Sequence, residues 1–167
     1  ILDAVEALRA EGIASTGKHF PGYSCCEVDA HHELPEVRRT REELEQHELK
    51  VFRHFADKVD SMMVGHAFYP ALESTRTPSS LSHPVVTGLL RNDLGFQGLI
   101  MTDDLDMGAI LNDFGLEETI RMAITAGNDL AMICHRVQCV ADAFNYLQKV
   151  PVREIDRALE SVPRFKS

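Results

Sequence analysis

The chain has 167 residues, 44% of them hydrophobic and 26% charged, enough for one domain with its own core. Its net charge is −9. Its longest basic run is Arg38-Arg39. That excludes the clustered cations that nucleic acid or an anionic membrane surface requires, and no apolar run approaches the roughly 18 residues of a membrane span.

Apolar spacing predicts alternating elements along the chain. Leu2, Val5 and Leu8 mark a helix stopped by Gly12. Ile13 to His19 reads as a first strand, followed by a polar loop to about Pro35. Thr40 and Glu43 form a capping-box pattern, and Leu44, Val51, Phe52 and Phe55 give the stripe of the next helix. Val59 to Gly65 is the second strand, and a Pro/Ser/Thr-rich loop runs on to Ser80. Ser82 can cap a helix carrying Val86, Leu89 and Leu90, closed by Asn92 to Gly95. Gly98 to Thr102 is the third strand, Leu116 to Ala126 a helix ending at Gly127, and Leu130 to Cys134 the fourth strand. Val137, Val140, Ala141, Phe144 and Leu147 stripe the next helix; Ile155, Leu159 and Val162 stripe the last.

One helix followed by four strand–helix units is an α/β pattern with a parallel sheet, since parallel strands need crossover helices. No glycine-rich dinucleotide fingerprint follows any strand. The unusual polar residues fall just after strands: Lys18-His19, His66, Asp103-Asp104 and His135. In a (β/α)8 barrel that end carries the active site, and a full barrel takes about 250 residues. The chain therefore supplies about half a barrel, a single partial domain over residues 1–167.

Cys25, Cys26, Cys134 and Cys139 resemble no disulfide framework. Reduced thiols and a cytoplasmic setting are expected. Cys25, Cys26, His31 and His32 are close, but their spacing fits no standard zinc pattern, so no metal is expected. The chain opens on Ile1 rather than Met, so the absence of a leader carries no information.

Two stretches carry chemistry. In Lys18 to Pro35, a polar loop with exposed histidines is the plain reading. Against it, Lys18 and His19 at a strand end can grip hydroxyl groups. Asp29 and His31, two apart on the loop, allow a carboxylate to orient an imidazole and support its protonated form. In Gly95 to Met107, Asp103, Asp104 and Asp106 lie within four residues. One or more could cap a helix; a carboxylate directly after an apolar strand at a barrel mouth is also placed for nucleophilic catalysis. Asp103 and Lys18-His19 are expected at the same end of adjacent strands.

The motifs KHFPG (18–22), six residues, Asp29-x-His31 and then Leu34-Pro35 resemble the signature of β-N-acetylhexosaminidases of glycoside hydrolase family 3. So do GHAFYP (65–70), PSSLS (78–82) and LRNDLGFQGLIMTDDLDMGAI (90–110), in the same order and register from about Gly12 onward. The resemblance implies strands five to eight of a (β/α)8 barrel. It implies Asp103 as nucleophile, His31 as acid/base oriented by Asp29, and Lys18, His19 and His66 around the terminal sugar. No cofactor is implied. The chain departs from the family at Tyr23-Ser24, where His-Gly is usual, at Ala30, where Ser is common, and at Cys25-Cys26.

The activity so implied is a retaining exo-β-N-acetylglucosaminidase acting on terminal β-linked N-acetylglucosamine of cell-wall (peptidoglycan) fragments. Phosphorolysis through the same site is an alternative, because a neutral histidine does not repel an incoming anion. A third reading is an inactive half-barrel acting as an association module, through self-association or pairing with a missing N-terminal half. A doubly wound regulatory domain would explain acids after a strand, but neither KHFPG nor the Asp/His pair.

Overall fold

The computed structural model describes residues 2–23, 30 and 32–166. Four parallel strands form one sheet in the order β1-β2-β3-β4. They are β1 (Thr16–Phe20), β2 (Ser61–Val64), β3 (Leu99–Asp104) and β4 (Leu130–Met132). Helical segments join each strand to the next, as parallel pairing demands.

Helix α1 (Leu2–Ala10) precedes the sheet, with Asp3 in its first turn and Arg9 in its last, matching the helix dipole. The expected Thr40–Glu43 capping box is present: the Glu43 amide donates to Thr40 Oγ1 (3.2 Å) and the Thr40 amide to Glu43 Oε2 (2.8 Å). The helix it starts is not continuous. Its backbone breaks at His47 (φ −116°, ψ −85°), giving α2 (Arg41–Gln46) and α3 (Glu48–Phe55). The break puts Leu44, Leu49 and Phe52 in the core and leaves Val51 at 53% exposure, off the expected stripe.

Residues Pro84–Asp93 form a π-helix, Leu94 N–H reaching back to Leu89 C=O. Ser82 Oγ accepts the Val85 amide at its start, as the sequence suggested. Gly95, at φ +69°, ends it. Then follow α4 (Gly108–Leu111), α5 (Leu116–Ala126), α6 (Val140–Leu147) and α7 (Val152–Lys166). Gly127, at φ +120°, stops α5 where expected.

One core cluster lies between the sheet and α2, α3 and the π-helix, including Phe20, Leu49, Phe52, Met62, Val64, Val86, Leu90 and Ile100. A second joins Leu105, Ile110, Ile120, Ala123 and Ala143. Strand side chains alternate between faces. Along β3, Ile100, Thr102 and Asp104 are enclosed, whereas Met101 and Asp103 are partly exposed. Asp103 therefore shares the face that the helices do not cover, which is the interior face of a barrel; Asp104 points to the helix side. The sheet ends at β1 and β4 and does not close.

Candidate active site at the strand ends

Lys18 and His19 lie at the C-terminal end of β1 and Asp103 at that of β3. They share one end of the sheet, but their strands are not adjacent as expected, because β2 runs between them. His19 Nε2 is nevertheless 3.6 Å from Asp103 Oδ2. The Lys18–His19 and Phe20–Pro21 peptides are both cis. Lys18 is exposed, His19 and Asp103 partly so. Burial is the largest influence on His19 and lowers its pKa; the Asp103 charge opposes this, Lys18 adds to it, and the net shift is downward. His19 is thus a neutral imidazole near pH 7, a hydrogen-bonding group beside a carboxylate rather than a fixed cation.

The three acids at and just beyond the end of β3 have separate surroundings. Asp103 Oδ1 accepts the Asp104 amide at 2.8 Å. Asp104 Oδ1 accepts the amides of Asp106 (3.1 Å) and Cys134 (3.0 Å), and its Oδ2 pairs with His135 Nδ1. Asp106 accepts the Arg136 amide (2.7 Å), the His135 amide (3.1 Å) and Arg136 Nε (2.7 Å). Burial alone would raise the Asp106 pKa; the bonds from Arg136 and His135 outweigh it and bring it below the usual carboxylate range. Asp104 and Asp106 thus tie the end of β3 to the segment after β4. None of the three caps α4, whose N-cap is Met107 without a side-chain bond.

Asp104, Asp106 and His135 place ligand atoms within 4.8 Å of one another. The carboxylates there already accept five N–H groups besides the His135 ring, and the Arg136 guanidinium already supplies positive charge to Asp106, so these residues are poor hosts for a cation.

His66, which the resemblance implies around the sugar, is held by partners within the chain. It is fully buried, within electrostatic reach of His19, Asp103 and Asp104. Its Nδ1 lies 2.7 Å from Ser80 Oγ and its Nε2 2.9 Å from Asp104 C=O, leaving no ring nitrogen for a hydroxyl group. The motifs around it are scaffold. Ser79 Oγ donates to Ala67 C=O, the Ser80 amide to Gly65 C=O, and Asn128 Nδ2 to Ser80 C=O. A Cβ on Gly65 would sit 2.7 Å from the Tyr23 ring, so glycine is what lets that ring approach. Tyr23 also meets His19 edge-on, centroids 5.6 Å apart. The sequence marked Tyr23 only as a departure and Ser80 only as part of PSSLS, and gave no signal for Arg136.

Asp29 and His31, with Cys25 and Cys26, lie outside the described residues. A cavity of about 630 Å³ sits at the opposite, N-terminal ends of the strands, lined by Ala14, Asp60, Gly98 and Leu99 among others, away from the acids.

Residues 2–165 match the profile of the glycosyl hydrolase family 3 N-terminal domain. The chain belongs to glycosyl hydrolase family 3. It is 34% identical over 131 residues (78% of the chain) to a β-hexosaminidase of Idiomarina loihiensis, and 35% identical over 144 residues (86%) to one of Alkalilimnicola ehrlichii. A family 3 β-N-acetylglucosaminidase from Paenibacillus sp. FPU-7 superposes with a TM-score of 0.93 at 37% identity over 99% of the chain. The chain spans 39% and 41% of the two curated relatives and 33% of the solved structure. Its four parallel strand–helix units are half of the family's (β/α)8 barrel.

Proposed function

We propose that this chain supplies the nucleophile and acid/base half of a retaining exo-β-N-acetylglucosaminidase, completed by the remaining barrel strands. The observation that carries the reading is the His19–Asp103 juxtaposition at the C-terminal ends of the strands. Of the two acids that end β3, Asp103 is on the face beside His19 and Asp104 on the other. The β-hexosaminidase names of the relatives support the substrate class.

Asp103 attacks the anomeric carbon and forms a glycosyl-enzyme, while His31, supported by Asp29, protonates the leaving oxygen. Water then hydrolyses the ester with His31 as base, giving retention through two inversions. Lys18 and neutral His19 hold hydroxyl groups of the terminal sugar. The natural substrate in this reading is a cytoplasmic peptidoglycan fragment ending in β-linked N-acetylglucosamine.

The test is an assay of the complete-barrel protein on 4-nitrophenyl β-N-acetylglucosaminide and on muropeptides, with and without inorganic phosphate. Free N-acetylglucosamine released first as the β-anomer at a rate indifferent to phosphate supports retaining hydrolysis. Glycosyl phosphate as the main product would replace hydrolysis by phosphorolysis. First release of the α-anomer would end the covalent mechanism.

A further inference from the structure

His66 bonds to three segments that lie far apart in the chain. Its backbone N–H donates to the Tyr23 hydroxyl, at the entry to residues 24–31. Its Nε2 reaches the Asp104 carbonyl, and Asp104 in turn gives its own N–H to the Asp103 carboxylate. Its Nδ1 meets the Ser80 hydroxyl. We propose that His66 is a positioning residue, fixing the strand end that carries Asp103 relative to the root of the loop that carries Asp29 and His31. This rests on the assignment of Asp103 and His31 above.

The chemistry of the partners sets the tautomer. A carbonyl oxygen only accepts, so Nε2 carries the proton. Nδ1 is then the acceptor for the Ser80 O–H. Burial is the strongest influence on the ring and lowers its pKa; the Asp104 carbonyl and the Asp103 and Asp104 charges oppose it without reversing it. The neutral form keeps both bonds in one orientation. A charged ring at this depth would carry a cost of desolvation that the neighbouring charges only partly offset.

Such a residue acts on rate rather than on binding. A nucleophile and an acid displaced by a fraction of an ångström still bind the sugar but no longer meet the reacting atoms together. Misplacement of about 1 Å costs on the order of a hundredfold in rate. Glutamine can imitate the pair of bonds, with its amide N–H on the Asp104 carbonyl and its oxygen facing Ser80. Phenylalanine fills the space and makes neither.

The experiment measures kcat and KM for His66→Phe, His66→Gln, Ser80→Ala and Tyr23→Phe in the complete-barrel protein, with Asp103→Ala as control. The 15N shifts of the His66 ring are recorded in parallel on the 167-residue chain. The expected result is a loss in kcat on the order of a hundredfold for His66→Phe with KM little changed, recovery of most of it in His66→Gln, and smaller losses of kcat in the two single-bond variants. The ring should show the Nε2–H tautomer throughout the range in which exposed histidines titrate. A rise in KM at constant kcat, or a Nδ1–H tautomer, overturns the proposal. Should His66→Phe fail to fold, the two single-bond variants decide alone, and unchanged kcat in both overturns it. Full activity in Asp103→Ala would instead overturn the underlying reading, leaving the tautomer to stand separately.

Discussion

His19 Nε2 lies 3.6 Å from Asp103 Oδ2, although β2 separates their strands. The two side chains are long enough to meet over the intervening strand. The contact pairs a carboxylate with an imidazole that burial keeps neutral, so it does not neutralise Asp103 at pH 7. His19→Ala should therefore weaken sugar binding, raising KM more than it lowers kcat. A fall in kcat with KM unchanged would place His19 in proton transfer instead.

Stability should fall on mild acidification, in a direction set by two histidines. His19 and His66 both have folded pKa values below the usual 6.5 or so. The unfolded chain then binds more protons than the folded one between the lowered and the ordinary values. Their contribution is complete above the unfolded pKa and is lost as pH falls through the folded one. Urea denaturation of the wild type from pH 8 to pH 5 should show this loss, and His66→Gln should flatten the slope. An unchanged slope in that variant would mean that His66 is not buried neutral.

Asp106→Ala should be a stability variant. It removes the acceptor of Arg136 Nε and of the His135 and Arg136 amides, unpinning the end of β3 from the segment after β4. Losing hydrogen bonds to a charged group costs about 1.5–3 kcal/mol. Urea unfolding should show a loss of that size, and Asp106→Asn, which keeps an acceptor oxygen, a smaller one. Loss of activity at unchanged stability would give Asp106 a part in the chemistry.

The 167-residue chain alone should self-associate. β1 and β4 end the sheet without partners among the described residues, and an open sheet edge is a template for pairing. Val137 (68% exposed) and Phe144 (63%), which follow β4 in the chain, add exposed apolar surface. Light scattering should report dimers or larger species. A stable monomer at millimolar concentration would show that these edges are protected.

Short apolar runs and helical spacing were enough to read the four strands, their order of connection and most helices. Even the parity that puts Met101 and Asp103 on one face is present in LIMTDD (99–104). The break at His47 was not legible: no glycine or proline marks it, and Leu44, Leu49 and Phe52 suit the core only once the helix has bent. The burial of His66 was hidden for a different reason. Its partners, Ser80 and Asp104, are 14 and 38 residues away and arrive only with the tertiary fold.

Substitution separates the proposed roles of the two reacting residues. His31→Ala removes proton transfer only, worth about a hundredfold to ten-thousandfold. A nitrophenyl leaving group needs little protonation, so its glycosylation step should survive while deglycosylation slows. Azide, which needs no base, should restore turnover and give the β-glycosyl azide. In Asp103→Ala both steps fail, and azide should not restore retaining turnover. If neither substitution lowered activity even about tenfold, both assignments would fall.

The most direct measurement is the mass of the trapped intermediate. The complete-barrel protein is incubated with a 5-fluoro glycosyl fluoride of N-acetylglucosamine, which forms its enzyme ester faster than it loses it, then digested and sequenced by mass spectrometry. The account predicts one added sugar on the peptide spanning β3, fragmenting to Asp103. A label on Asp104 or Asp106, or inactivation-free turnover with no label at all, would contradict it.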